Sequence, residues 1–119
     1  MLNSPEGTFE CTTNYIGDFM VSNVLAAMIA VWVKGYSVEK LVSILPSLGA
    51  LYGRMEILGD GLPIDIISDF AHTPDGYKKL LEATREIRKG KRTLLLTGMG
   101  GGRDISKGPL IGEIISEAD

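Results

Sequence analysis

The chain has one cysteine, one histidine and one tryptophan in 119 residues. Cys11 alone cannot close an internal disulfide, which excludes a disulfide-stapled secreted scaffold. There is no Cys/His metal spacing and no nucleophile elbow. Positive charge is not in surplus: the net charge is −3 and the pI about 5.1. That argues against a nucleic-acid binder held by broad phosphate neutralisation. The longest apolar run, Val24 to Val33, has ten residues, whereas a spanning helix needs about 20. The first residues, Met1 to Glu6, have neither the basic nor the apolar stretch of a leader. No membrane contact is therefore expected, and the expected setting is the reducing cytoplasm. The residues after Met1 do not read as a natural beginning, so Met1 is expected to be an introduced start.

What is present suits a folded chain. Apolar residues make up 45% and charged residues 23%, with fifteen glycines. The length allows one ordinary domain or pieces of two. Charge divides the chain near residue 50. Residues 1–52 carry four acids and two bases, while residues 53–119 carry eleven acids and ten bases. Pro46, Gly49 and Gly53 surround this shift and mark a boundary.

In the first part, residues 8–16 hold β-prone Thr, Phe and Tyr between Gly7 and Gly17, which predicts one strand. Val21, Val24, Leu25, Met28, Ile29 and Trp32 recur at helical spacing and predict a helix over 20–33. Ser37 is the expected cap of a second helix running through Leu48, with Pro46 limiting its last turn. The second part alternates strand and helix. Ile64 to Ile67 predicts a short strand, and Thr73-Pro74 starts a helix that Gly90 ends. Its expected buried stripe is Tyr77, Leu80, Leu81, Thr84 and Ile87. Thr93 to Thr97 predicts a strand buried on both faces. Gly108-Pro109 opens a last helix. The fold class is α/β, with a βαβ unit of the doubly wound kind.

Two loops are candidates for function. Gly98 to Asp104 joins a strand to a helix, where backbone N–H groups hold phosphate. It departs from the dinucleotide fingerprint at Arg103 and from the Walker A order at Lys107-Gly108, so a plain tight turn is the alternative. Asp69 to Asp75 follows the first strand of this part, at the edge where open α/β sheets bind ligands. Asp69 can accept from ribose hydroxyls, and His72 can stack on or donate to a nucleotide. The alternative is that Asp69 and Asp75 support the helix N-terminus and His72 is an ordinary loop residue. Asn23, on an apolar helix, either makes a structural hydrogen bond or reads a base edge. Arg54, at the boundary, reaches a phosphate or ribose, or forms an ion pair. The cations Arg85, Arg88, Lys89, Lys91 and Arg92 read as a solvated helix end.

Taken together, the ordered motifs resemble the Mur ligases. They are Gly17-Asp18-Phe19 with Asn23-Val24-Leu25-Ala26-Ala27, then Gly53-Arg54-Met55-Glu56, then Asp69-Phe70-Ala71-His72-Thr73-Pro74-Asp75, then Gly100-Gly101-Gly102-Arg103-Asp104. Within the family the resemblance is closest to the third-step branch, which acts on UDP-N-acetylmuramoyl-L-alanyl-D-glutamate, and it runs over essentially the whole chain. Met20, Phe70, Gly102 and Gly108 depart from the residues usual at those positions.

The resemblance implies a cytoplasmic enzyme of peptidoglycan synthesis that uses ATP and Mg²⁺ to activate a carboxylate as an acyl phosphate, which an amino acid then attacks. It implies that residues 1–52 are the end of the central ATPase domain and residues 53–119 the first half of a Rossmann-like C-terminal domain. Carried over by motif, Asn23 lies near the adenine, Arg54 contacts the nucleotide at the domain junction, and Asp69 lies near the ribose with His72 beside it. The chain has no Walker A loop, the magnesium ligands of the family lie upstream, and no catalytic residue is expected here. The isolated chain is therefore expected to be an inactive fragment. Its uncovered strands and apolar faces are expected to drive self-association. The alternatives are a piece of a folylpolyglutamate or cyanophycin synthetase, or a short non-catalytic nucleotide-binding module.

Overall fold

A computed structural model describes residues 1–59, 61–88, 90–98 and 105–118. The chain opens with a hairpin. Strand β1 (Leu2–Ser4) pairs antiparallel with β2 (Gly7–Phe9), Leu2 opposite Phe9 and Ser4 opposite Gly7. Ser4 Oγ fastens the turn, donating to the Gly7 carbonyl at 3.0 Å and accepting from the Glu6 N–H at 3.2 Å. The single strand expected over 8–16 is thus short. Pro5-Glu6-Gly7 folds the chain back locally, and the pairing partner runs out at Leu2. Residues 10–17 continue without a ladder.

Helix α1 (Asp18–Trp32) starts after Gly17, whose φ of 88° suits glycine. Of the residues whose spacing marks this helix, Val21, Leu25 and Ile29 are exposed, and Val24, Met28 and Trp32 are half-buried. Met20 is the buried residue. The helix is apolar all round, so spacing alone could not pick its inner face. Helix α2 (Val38–Ile44) begins at the expected cap, Ser37, whose side chain accepts from the Lys40 N–H. A 3-10 turn at Leu45–Ser47, containing Pro46, replaces its last α turn. Val38, Leu41 and Leu45 are its buried face. Glu6 joins hairpin to helices: one carboxylate oxygen accepts from Trp32 Nε1 at 2.6 Å, the other from the Val38 N–H at 2.8 Å.

The second part begins with a two-stranded antiparallel sheet, β3 (Glu56–Leu58) on β4 (Ile66–Ser68). The sequence reading missed β3. Helix α3 (Pro74–Ile87) follows, capped by Thr73 Oγ1, which accepts from the Gly76 N–H at 3.1 Å. Tyr77, Leu80, Leu81 and Ala83 are buried along it, while Thr84 and Ile87 are half-buried. Met55, Leu80 and Ala83 form a small core onto which Ile16, Phe19, Ile67, Ala71 and Leu95 pack. Helix α4 (Gly108–Ile115) lies against α3, burying Ile111. Arg85 Nη2 reaches Glu117 Oε2 across that contact at 2.9 Å.

The fold is α/β, and the order of elements follows the sequence reading. The exceptions are the opening hairpin, β3, and residues 93–97, which run extended without ladder partners. Leu95 packs on the core and Thr97 Oγ1 meets the Tyr77 hydroxyl, but Leu94 and Leu96 are 94% and 96% exposed. A strand buried on both faces needs neighbours on both sides, and only the inward alternate residues find any. Arg103, Asp104 and all of the glycine loop after Gly98 lie outside the described residues, as does Lys89.

Much apolar surface stays uncovered. The accessible surface is 8700 Å², against about 6300 Å² for a compact monomer of this mass. The radius of gyration is 17.1 Å, against about 13.5 Å for a compact chain of this length.

Candidate functional site

The site forms where the N-terminal end of α1 meets the loops around β3 and β4. Gly17 makes this approach possible. A Cβ there would stand 3.0 Å from the Ala83 Cβ and 2.8 Å from the Phe19 ring. Glycine thus lets α1 start directly against α3, and Asn23 follows six residues further along.

Four candidate residues, Asn23, Arg54, Asp69 and His72, line one cavity of about 190 Å³, with Phe19, Phe70 and Lys79 among its other walls. A wider cleft of about 470 Å³ adjoins it between α1 and α3 and shares Phe19, Asn23 and Lys79. Asn23 Nδ2 donates only to the Met20 sulfur at 3.7 Å, a weak acceptor. Its carbonyl oxygen has no partner among the described residues, so its amide keeps most of its bonding capacity.

Asp69 differs from the others. Its Oδ2 accepts from the Met55 N–H at 2.9 Å and its Oδ1 from the Ala71 N–H at 2.8 Å. Met55 has a φ of 46°, the left-handed region, and is the sole non-glycine residue there among the described residues. Such a conformation costs about 1–3 kcal/mol and persists only where its surroundings hold it. Here the holders are the Asp69 carboxylate and the burial of the Met55 side chain. Glu56 Oε2 accepts from the Gly53 N–H at 2.9 Å and closes the same turn.

Arg54, between them, points outward. Its guanidinium lies over the Phe70 ring at 5.5 Å from the centroid. No ion pair to Arg54 is found among the described residues, so the expected alternative role is not seen. Phe70 in turn sits 5.2 Å from the His72 ring at an angle of 56°. His72 Nδ1 lies 3.0 Å from the Phe70 carbonyl oxygen. A carbonyl only accepts, so Nδ1 carries the proton, and in the neutral ring Nε2 is left as an acceptor.

Phe19, Leu51 and Lys79 are among the wall residues that spacing does not single out. Phe19 was quoted only as part of a motif, and Lys79 sits four residues after Asp75, to which it is paired at 2.8 Å. An (i, i+4) acid–base pair reads as a solvated helix face, and nothing in the spacing points Lys79 toward Asn23. Among the described residues no three of His, Cys, Asp and Glu gather as a metal site. No helix there is long and apolar enough to cross a membrane.

The arrangement offers an amide, a guanidinium stacked on an aromatic ring, and an imidazole acceptor around a small cleft. These are hydrogen-bonding and stacking groups, with no nucleophile and base in contact among the described residues. The fold and the motifs now have a family. Residues 53–119 match the family model described as "Mur ligase, glutamate ligase domain", and the chain belongs to that family. The UDP-N-acetylmuramoyl-L-alanyl-D-glutamate--L-lysine ligase of Staphylococcus haemolyticus (strain JCSC1435) is 45% identical over 117 residues, covering 98% of this chain and 24% of that protein. The protein of the same name from Staphylococcus aureus (strain MW2) is 44% identical over 116 residues, covering 98% and 23%. A solved structure of a UDP-N-acetylmuramoyl-L-alanyl-D-glutamate--2,6-diaminopimelate ligase superposes with a TM-score of 0.54 at 31% identity, covering 98% of this chain and 24% of that one. The chain therefore spans about a quarter of the length of the relatives it matches.

Proposed function

We propose that this chain is part of a longer, cytoplasmic, ATP-dependent ligase that joins an amino acid to UDP-N-acetylmuramoyl-L-alanyl-D-glutamate, and that it supplies one wall of the nucleotide site. In this reading residues 1–52 are the end of a central ATPase domain and residues 53–119 the first half of a Rossmann-like domain. The amino acid belongs to the diamino class, since the names of both kinds of relative specify one. The observation that carries the proposal is the convergence of Asn23 from α1 with Arg54, Asp69 and His72 from the second part on one cavity.

Those groups fit the adenosine end of a nucleotide. Asn23 offers donor and acceptor to a base edge. Arg54 suits a ribose hydroxyl or a phosphate oxygen, and the His72 acceptor suits a ribose hydroxyl. When bound, ATP supplies the phosphoryl group that activates the substrate carboxylate. This chain's part is to orient the nucleotide, since positioning carries much of phosphoryl transfer. No cradle for the terminal phosphates and no magnesium ligands are assigned to it, so both belong to the remainder of the ligase. The same remainder covers the apolar surface left open here.

Calorimetric titration of ADP into the chain tests the reading. Weak, saturable binding is expected, weakened but still measurable in Asn23→Ala and in Arg54→Ala. Amide formation by the 119-residue chain alone would overturn the assignment of phosphate and magnesium groups to the remainder.

A further inference from the structure

We infer that Asp69 is a positioning residue whose carboxylate clips two turns together and thereby sets Arg54 on Phe70. The two oxygens of this one side chain hold two separate segments. Oδ2 holds the Met55 N–H and Oδ1 the Ala71 N–H, at 2.9 and 2.8 Å. Each segment carries one half of a stacked pair. Arg54 immediately precedes Met55, and Phe70 lies between Asp69 and Ala71. The left-handed backbone at Met55 sends its side chain into the core beside Leu80 and Ala83, while Arg54 turns outward over the exposed Phe70 ring.

The β3–β4 ladder brings the two turns near each other but ends at Glu56 opposite Ser68, one residue short of both Met55 and Asp69, and it does not set the direction of either side chain. Arg54 has no carboxylate partner among the described residues, and Phe70 is 64% exposed. An exposed cation over a ring gains little by itself, so the register of the two turns decides whether the stack forms. A carboxylate accepting two backbone N–H bonds is a strong fastener, because both bonds are charge-assisted. His72 extends the row, its ring against Phe70 and its Nδ1 on the Phe70 carbonyl. The clip therefore aligns Arg54, Phe70 and His72 as one surface. Its contribution to nucleotide binding rests on the function proposed above. The clip itself does not.

The experiment has two arms on the 119-residue chain. Amide hydrogen exchange, read by NMR without nucleotide, compares Asp69→Ala and Asp69→Asn with the parent. In Asp69→Ala, Met55 and Ala71 are expected to exchange at least about tenfold faster, with Leu81 unchanged. Asp69→Asn keeps one acceptor oxygen, so one of the two amides is expected to stay protected even if the alanine variant fails to fold. Unchanged protection of both amides in Asp69→Ala, or loss at both in Asp69→Asn with Leu81 still protected, would overturn the clip. The second arm is ADP titration of Asp69→Asn, Arg54→Ala and the double variant. If Asp69 works through Arg54, the double variant binds no more weakly than Arg54→Ala alone. Multiplied losses would show Asp69 acting on the nucleotide directly. Absence of ADP binding by the parent chain would sink the nucleotide reading and leave the exchange arm to judge the clip.

Discussion

Helices α1 and α3 are nearly the same length, 15 and 14 residues, yet they use their side chains in opposite ways. Helix α3 has a polar face and an apolar stripe, and the stripe is buried at Tyr77, Leu80, Leu81 and Ala83. Helix α1 is apolar almost all round and buries only Met20. An amphipathic helix is satisfied by one neighbouring layer, whereas an all-apolar helix needs cover on several sides. Helix α3 finds its layer in α4 and the core around Met55. Helix α1 has α2 beside it and leaves Val21, Leu25, Ile29 and Val31 open to water. The contrast is between the two helices, because the second part also leaves apolar side chains open, among them Ile64, Leu94 and Leu96.

The largest expected effect tests this contrast head on. Leu81 is 3% exposed and Ile29 is 59% exposed. Leu81→Ala is expected to cost about 2–5 kcal/mol through the cavity it leaves. Ile29→Ala, at an exposed site, is expected to change stability by about 0.5 kcal/mol or less. Urea unfolding followed by circular dichroism measures both. Comparable losses would break the comparison, as happens if a second copy of the chain sits on α1.

Next in size is the point where the two helices meet. Gly17 has a backbone conformation, φ 88° and ψ 140°, that side chains rarely adopt, and an added Cβ would crowd Ala83. Gly17→Ala is expected to cost about 1–3 kcal/mol. Because Phe19, Asn23 and Arg54 line the cavity beside that approach, it is also expected to weaken ADP binding. Retained ADP affinity at reduced stability would mean that the cavity does not depend on this contact. The helix caps give a smaller and more even effect. Thr73→Ala removes the acceptor for the Gly76 N–H and Ser37→Ala that for the Lys40 N–H. Each is expected to cost about 1 kcal/mol by urea unfolding. The 3.4 Å bond at Ser37 against 3.1 Å at Thr73 puts Ser37 at the lower end. The reverse order would place the better-formed helix in the first part.

These caps were legible in the sequence because capping is local. A Ser or Thr, its neighbours and the apolar spacing that follows lie within one window. The same holds for the stripe of α3 and for the Gly108-Pro109 start of α4. What failed was non-local. Glu56-Ile57-Leu58 is too short to stand out, and it pairs with β4 across a loop that begins at Gly59. Thr93 to Thr97 has the composition of a buried strand, but composition cannot supply the neighbouring strands that burial requires. The site shows the same division. Asn23, Arg54, Asp69 and His72 were singled out from motifs and do line one cavity. That both Asp69 oxygens are spent on backbone N–H groups depends on the Met55 turn, which no spacing displays.

The smallest expected effect concerns the cover that α3 does have. Arg85 Nη2 bonds both Glu117 Oε2 at 2.9 Å and the Glu117 carbonyl at 3.3 Å, reaching from α3 to the end of α4. Both side chains are substantially exposed, 42% and 60%. Water and salt screen such a pair, so it is worth about 0.2–1 kcal/mol rather than the value a buried pair would have. A double-mutant cycle of Arg85→Ala and Glu117→Ala is expected to return a coupling in that range, smaller in 1 M NaCl. The carbonyl bond survives Glu117→Ala, because it belongs to the backbone, and so the cycle isolates the carboxylate. If the coupling proved as large as the cost of Leu81→Ala, α4 would be held by charge, and the claim that apolar burial distinguishes α3 from α1 would fail. A small, salt-sensitive coupling leaves the buried stripe as the source of the difference.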